Sequence, residues 1–211
     1  MKIEKVFLAT GNPKKRREIE AIVQPLGVRV TTEEEVGGVG EVVEDGDTFE
    51  ANAIKKARAS ARRTGIPSLA DDSGLEVDAL RGAPGVRSAR YAGEGATDAD
   101  NNRKLLDALK DVPDDKRTAA FRCVIAFALP AGKVDARIAF TAEGTCKGRI
   151  LRASRGCNGF GYDPLFYYEP LGKTFAELPM DEKAKVSHRG KALAEFAERF
   201  QELLKRNRRE R

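Results

Sequence analysis

Ser68-Leu-Ala-Asp-Asp-Ser-Gly-Leu-Glu-Val-Asp-Ala79 is the stretch around which the chain is organised. A short apolar run ends in two adjacent carboxylates, Asp71 and Asp72. Ser73 and Gly74 follow, and a second alternating apolar run begins at Leu75. This pattern predicts two short strands joined through acidic residues, with the carboxylates at a strand end. Adjacent like charges repel, so a cation or a bound proton is needed to offset them. Mg²⁺ suits such a place, because its ligands are carboxylate oxygens, waters and substrate phosphates. Taken by itself, the pair reads better as a solvated acidic turn, and what raises it above that lies elsewhere in the chain.

Upstream, Val6-Phe7-Leu8-Ala9 reads as a buried strand, followed by Thr10-Gly11-Asn12-Pro13-Lys14-Lys15 and an amphipathic run through Ile19, Ile22 and Val23. Asn12 is a suitable N-cap and Pro13 a suitable first helical residue. Unpaired amides at a helix start attract phosphate, and Lys14 and Lys15 add charge; an ordinary strand-to-helix turn fits as well. Arg29 to Thr32 is a short strand. Glu33 to Gly46 is acidic and glycine-rich and reads as a loop, with Glu41 and Glu44 as candidate metal ligands. Asp47 to Thr64 is a helix, with Asp47 as cap and Glu50 completing a capping box. Phe49, Ala53, Ala57 and Ala61 form its apolar row. Asn52 and Lys56 make a polar i, i+4 pair beside that row. Asn is a poor mid-helix residue, which hints at a role, although a surface pair would look the same.

Downstream, Gly82 to Gly93 is a glycine-punctuated loop bearing Arg87 and Arg90, and Thr97 to Lys110 is a second capped helix. Thr118 to Leu129 and Val134 to Glu143 read as long strands joined by a hairpin at Pro130-Ala-Gly-Lys133, with Lys147 to Leu151 as a further edge strand. Cys123 falls on the buried alternation. Arg155-Gly-Cys-Asn-Gly-Phe-Gly-Tyr-Asp-Pro164 is a permissive loop. Phe160 and Tyr162 offer aromatic faces on which a purine stacks, or plug the core beneath it. Asp181 to Lys185 is a short helical turn, and Ser187-His188-Arg189-Gly190 opens a final helix with Leu193, Phe196, Phe200, Leu203 and Leu204 on its apolar face. Strands alternate with helices, so the class is α/β.

Composition narrows the function classes. The chain has 211 residues, 41% hydrophobic and 34% charged, without an apolar run of membrane-spanning length. Met1-Lys-Ile-Glu-Lys5 leads straight into a strand pattern, so no signal peptide is expected. One histidine and three scattered cysteines speak against zinc and for a reducing, cytoplasmic setting. The net charge of +5 suits either a phosphate-rich small substrate or nucleic acid. Much of the excess sits in Lys205 to Arg211, which reads as a solvated helix end, and no zinc-finger or homeodomain signature supports a nucleic-acid partner. An aspartyl-phosphate phosphatase is disfavoured by the Ser-Gly after the acidic pair and by the lack of Asp-x-Asp spacing.

Six stretches, in order, resemble the inosine/xanthosine triphosphate pyrophosphatases. They are Thr10-Gly11-Asn12 with Lys15; Thr48-Phe49 with Asn52-Ala53 and Lys56-Ala57; Ala70 to Leu75; Gly82 to Gly85 with Ser88 to Tyr91; Gly159 to Pro164; and Ser187 to Gly190. The resemblance implies Mg²⁺-dependent hydrolysis of ITP, dITP and XTP to the monophosphate and pyrophosphate. It implies a single domain over residues 1–211, an elongated two-lobed α/β fold with a long mixed sheet flanked by helices, an active-site cleft between the lobes, and a homodimer. It also implies a purine nucleoside triphosphate as the partner, with no nucleic acid and no membrane. Carried onto this chain, Asp72 is the proton acceptor and a metal ligand, with Glu44 chosen over Glu41 as the second carboxylate. Thr10, Gly11, Asn12, Pro13, Lys14 and Lys15 cradle phosphates, with Asn52 and Lys56 nearby, and Ser73 contacts substrate. Phe160, Gly161, Tyr162 and Asp163 form the base pocket, and Lys183, His188 and Arg189 read the base or close over the nucleotide. Gly37 to Gly40 departs from the family pattern.

Overall fold

The computed structural model describes residues 3–10, 13–37, 39–40, 42–132 and 135–209, with only the backbone of Pro13, Lys14, Arg208 and Arg209. Gly11 and Asn12, the alternative ligand Glu41, the hairpin residues Lys133 and Val134, and the last two residues of the basic tail therefore lie outside the described residues.

In chain order the elements are β1 (Lys5–Leu8), α1 (Pro13–Val23), β2 (Arg29–Thr31), α2 (Phe49–Thr64), β3 (Ser68–Val77), α3 (Asp98–Ala108), β4 (Thr118–Ala131), β5 (Asp135–Ile150), β6 (Phe166–Tyr168), β7 (Lys173–Thr174), α4 (Met180–Val186) and α5 (His188–Arg209). Among the described residues the strands form one mixed sheet in the order β2-β1-β3-β4-β5-β6-β7. β1 runs parallel to both β2 and β3, setting Val6 opposite Val30 and Leu8 opposite Leu69. β6 is antiparallel to β5 and β7.

The chain divides into two compact units, with β3, β4, β5 and α5 contributing to both. The first holds Met1–Asp72, Val124–Glu143 and Ala192–Arg211. Its core joins β1 to the Phe49, Ala53, Ala57 and Ala61 row of α2, all buried as the helical spacing predicts. Phe127, Phe140, Phe196 and Phe200 form an aromatic cluster in the same unit, with Phe196 stacked on Phe200 at 5.4 Å. The second unit holds Ser73–Cys123 and Gly144–Lys191. Its core gathers Leu75, Leu105, Leu109, Phe121, Cys146, Phe166 and Phe175. Arg117 is buried there and donates to the carbonyls of Leu109 at 2.6 Å, Ile150 at 2.8 Å and Leu151 at 3.0 Å. It ties the end of α3 to the end of β5.

Several expectations need correction. The acidic pair does not lie at a strand end: β3 is one continuous strand through Asp71 and Asp72. Lys147 to Leu151 is not a separate edge strand, because β5 continues without interruption to Ile150 and has β6 beside it. The cap of α2 is Thr48, whose side chain accepts from the Ala51 amide at 3.1 Å, not Asp47. The capping box belongs instead to α3, where Thr97 and Asp100 bond reciprocally. The short strands β6 and β7 carry too few residues for a visible alternation.

Candidate active site

The residues singled out in the sequence fall into two clusters, one in each compact unit. In the first unit α2 presents Asn52 and Lys56, one turn apart, to β3. Asn52 is fully buried. Its Nδ2 donates to Asp72 Oδ2 at 3.0 Å, and its Oδ1 accepts from the Gly46 amide at 2.8 Å. Lys56 Nζ donates to the Asp71 carbonyl at 2.7 Å and to Glu44 Oε1 at 3.0 Å. These bonds exclude the surface-pair reading. They bring Glu44, from the acidic loop, and Asp72, from β3, onto neighbouring residues of one helix face.

Lys15, on the first turns of α1, donates to both oxygens of Asp71 at 2.9 and 2.8 Å, and Asp71 is only 8% exposed. The charge that offsets Asp71 is thus a lysine of the chain itself. Repulsion within the acidic pair is no argument for a metal. Thr10 lies at the end of β1, its amide bonded to the Leu8 carbonyl at 2.9 Å. Pro13 is the first residue of α1, as expected.

The fit of a divalent ion rests on the donor set. Among the described residues no group of three or more candidate metal ligands exists. Two hard carboxylates, Asp72 and Glu44, are nonetheless held toward one helix face. An ion that keeps several waters and takes one or two protein carboxylates plus substrate phosphates suits that set, whereas an ion needing an all-protein cage does not. A cavity of about 640 Å³ in this unit lies along Ala51, Ile54, Lys55, Arg58 and Arg62, on another face of α2, and shares no residue with the carboxylate cluster.

In the second unit Arg189 Nη2 lies 3.3 Å from Ser73 Oγ, a donor contact from the first turn of α5 to β3. His188 is 8% exposed and stacks on Phe121 at 4.7 Å. It is a packed ring rather than a surface residue. The Gly190 amide donates to Ser187 Oγ at 3.1 Å, closing the turn that opens α5.

The loop at Phe160 divides the two aromatic residues. Phe160 is 58% exposed, whereas Tyr162 is buried and its hydroxyl donates to the Ser88 carbonyl at 2.8 Å. The expectation for Tyr162 is corrected accordingly: its ring plugs the core and leaves only backbone for a ligand. Asp163 is 2% exposed, accepts from the Phe160 amide at 2.9 Å and forms an ion pair with Lys183. Burial pushes the Asp163 carboxyl above the ordinary carboxylate range, against the downward pull of Lys183. Lys183 Nζ also lies over the Phe160 ring, 5.0 Å from its centroid. Gly159 is required here, since a Cβ at that position would sit 2.1 Å from Asp163 Oδ2. Asp98 and Asn102, passed over in the sequence as ordinary helix residues, bond to the backbone of Gly161. Their signal was faint: a polar i, i+4 pair at a helix start.

Comparison with known proteins adds identity to this geometry. The sequence profile of the Ham1 family matches residues 6–199. A dITP/XTP pyrophosphatase of Syntrophobacter fumaroxidans is 57% identical over 200 residues, covering 95% of this chain and 83% of that protein. One of Desulforamulus reducens is 56% identical over 194 residues, covering 92% and 94%. The structure of a HAM1 protein from Coxiella burnetii superposes with a TM-score of 0.87 at 42% identity, covering 95% of this chain and all of that one.

Proposed function

The chain belongs to the Ham1 family, and from that membership we propose that it hydrolyses non-canonical purine nucleoside triphosphates, ITP, dITP and XTP, to the monophosphate and pyrophosphate. The observation that carries this reading is the Asp72 carboxylate, held by a fully buried Asn52 one helical turn from Lys56. The same substrates stand in the names of relatives more than half identical to this chain.

The protein's part in the reaction is positioning and electrostatics, as in phosphoryl transfer generally. Asp72 accepts the proton of the water that attacks the α-phosphorus. Asn52 fixes one oxygen of that carboxylate, so the other lobe of the group is oriented before substrate arrives. Lys15 and Lys56 offset phosphate charge, and the sequence resemblance assigns Thr10, Gly11, Asn12, Pro13 and Lys14 to the phosphates as well. Glu44 and Asp72 would hold Mg²⁺, which neutralises phosphate charge and lowers the pKa of a bound water. Arg189 and His188 donate toward the 6-keto oxygen of the base, and Phe160 offers it an aromatic face. Adenine presents an amino group at that position and leaves a donor unpaired, at a cost of about 1–3 kcal/mol, or roughly ten- to a hundredfold in selectivity. We place the activity in a single domain acting as a cytoplasmic homodimer. Among the described residues no helix is long and apolar enough to cross a membrane.

The test is to incubate the protein with ITP and Mg²⁺ and assay pyrophosphate, with Asp72→Asn beside it. Pyrophosphate release by the parent protein, abolished in a folded Asp72→Asn, is the expected result. Orthophosphate alone, or no hydrolysis by the parent, refutes the assignment; near-normal turnover in the variant removes Asp72 from it.

A further inference from the structure

The loop bearing Phe160 is gripped from α3. Asp98 Oδ2 accepts from the Gly161 amide at 2.6 Å, and Asn102 Nδ2 donates to the Gly161 carbonyl at 2.8 Å. Asp98 and Asn102 are four residues apart, so one helix face holds both polar groups of a single loop residue. Gly161 has φ +60°, a left-handed conformation that lets both groups face the helix.

The Asn102 amide leaves no ambiguity of orientation. Its second hydrogen is donated to the Asp98 carbonyl at 2.9 Å, so a flipped side chain would set its oxygen against two carbonyls. Its Oδ1 is buried and has no partner among the described residues. An unpaired buried acceptor is costly, so the asparagine makes sense for the bonds it donates.

Anchoring the loop does not require this grip. The buried Tyr162 ring, bonded to Ser88, already ties it to the core. What the core does not fix is the direction of Phe160, an exposed ring with solvent on much of its surface. The backbone on either side decides it: Asp163 holds the Phe160 amide, and α3 holds Gly161.

We propose that Asp98 and Asn102 are positioning residues for base recognition, which set the Phe160–Asp163 segment for the purine without touching it. This rests on the nucleotide reading above. Two bonds at one peptide residue restrict rotation about the segment, so losing either one raises the entropic cost of binding the base without altering the reacting phosphate.

The experiment compares the parent protein with Asp98→Ala, Asp98→Asn, Asn102→Ala and Asp100→Ala. Pyrophosphate release is followed over a range of ITP concentrations, and amide hydrogen exchange over residues 159–163 is followed in the nucleotide-free protein. Asp98→Ala and Asn102→Ala should raise KM for ITP about tenfold, roughly what one such bond supplies, with kcat little changed. Both should also speed exchange at Gly161. Asp98→Asn retains an acceptor and should restore KM. Asp100→Ala loses the capping box of the same helix; it should lower Tm and leave KM unchanged. Parent-like KM in both alanine variants, or an equal rise in Asp100→Ala, overturns the proposal. A parent protein that yields no pyrophosphate refutes the function itself, and exchange then decides the grip: unaltered exchange in both alanine variants overturns it.

Discussion

Replacing Asn52 with leucine removes every polar atom of its side chain while keeping its branching and number of heavy atoms. Asn52 is fully buried and links Gly46, in the acidic loop, to Asp72, in β3. The substitution orphans the Gly46 amide and strips a donor from a half-buried carboxylate. An unsatisfied buried group costs about 1–3 kcal/mol, and water reaches the Asp72 side of the bond, so a total near 2–3 kcal/mol is expected. For a chain of this size that lowers Tm by about 4–12 °C. The catalytic effect should be larger than the stability effect suggests. A carboxylate misplaced relative to the attacking water costs about a hundredfold in turnover. KM should move far less, since Asn52 bonds to the carboxylate proposed to act on water. Asn52→Asp sharpens the test. It keeps the shape but sets a second carboxyl against Asp72, so one of the two must take a proton and the pH profile of kcat must shift upward. Thermal unfolding, pyrophosphate release at saturating ITP and the pH dependence of kcat measure these effects. A variant with parent-like kcat and an unshifted profile would refute the claim that Asn52 orients Asp72.

Arg117→Met should destabilise the protein by about 3 kcal/mol, because three carbonyls lose a charged donor while the desolvated cation that offset them is removed; urea denaturation checks it, and a loss below about 1 kcal/mol would contradict the role given to Arg117. Burial raises the Asp163 pKa in the fold, so the folded state binds that proton more tightly, and stability falls as pH rises through the folded value. Lys183→Met removes the main downward influence, so its stability deficit should widen toward neutral pH and narrow on acidification toward the ordinary carboxylate range; a deficit independent of pH contradicts this. Thiol titration of the native protein should count one fast group, Cys157, which is exposed, while Cys123 is buried and the Cys146 thiol is pushed up to about 11 by burial. Loss of the fast group in Cys157→Ser identifies it, and persistence of a fast thiol there refutes the assignment.

Periodic elements were legible in the sequence because one residue's neighbours fix them. The alanine row of α2 and the aromatic face of α5 follow from spacing alone, and both are buried as spacing demands. Asn52 was visible as an anomaly, a poor helix former inside a helix, but its partner twenty residues away was not. The same limit explains the misplaced strand end. Two carboxylates look like an interruption of β3 until Lys15, fifty-six residues upstream, is found neutralising one of them. The Gly161 grip was hidden for a further reason: its loop end uses only backbone groups, which every residue possesses.

The continuity of β3 also allows two adjacent aspartates to be given different work. Successive side chains of a strand point to opposite faces, so Asp71 and Asp72 cannot share one ligand side by side. Asp71 turns to Lys15 of α1 and is neutralised almost out of solvent. Asp72 turns to Asn52 of α2, whose amide holds one oxygen of the carboxylate. A lysine in place of Asn52 would lower the carboxylate's basicity, and an apolar residue would remove the bond to Oδ2. An amide donor on one oxygen suits a proton acceptor, and a lysine pair suits a structural carboxylate. The alternation of the strand therefore separates the two carboxylates, in keeping with the proposal that Asp72 accepts the proton and Asp71 supports it.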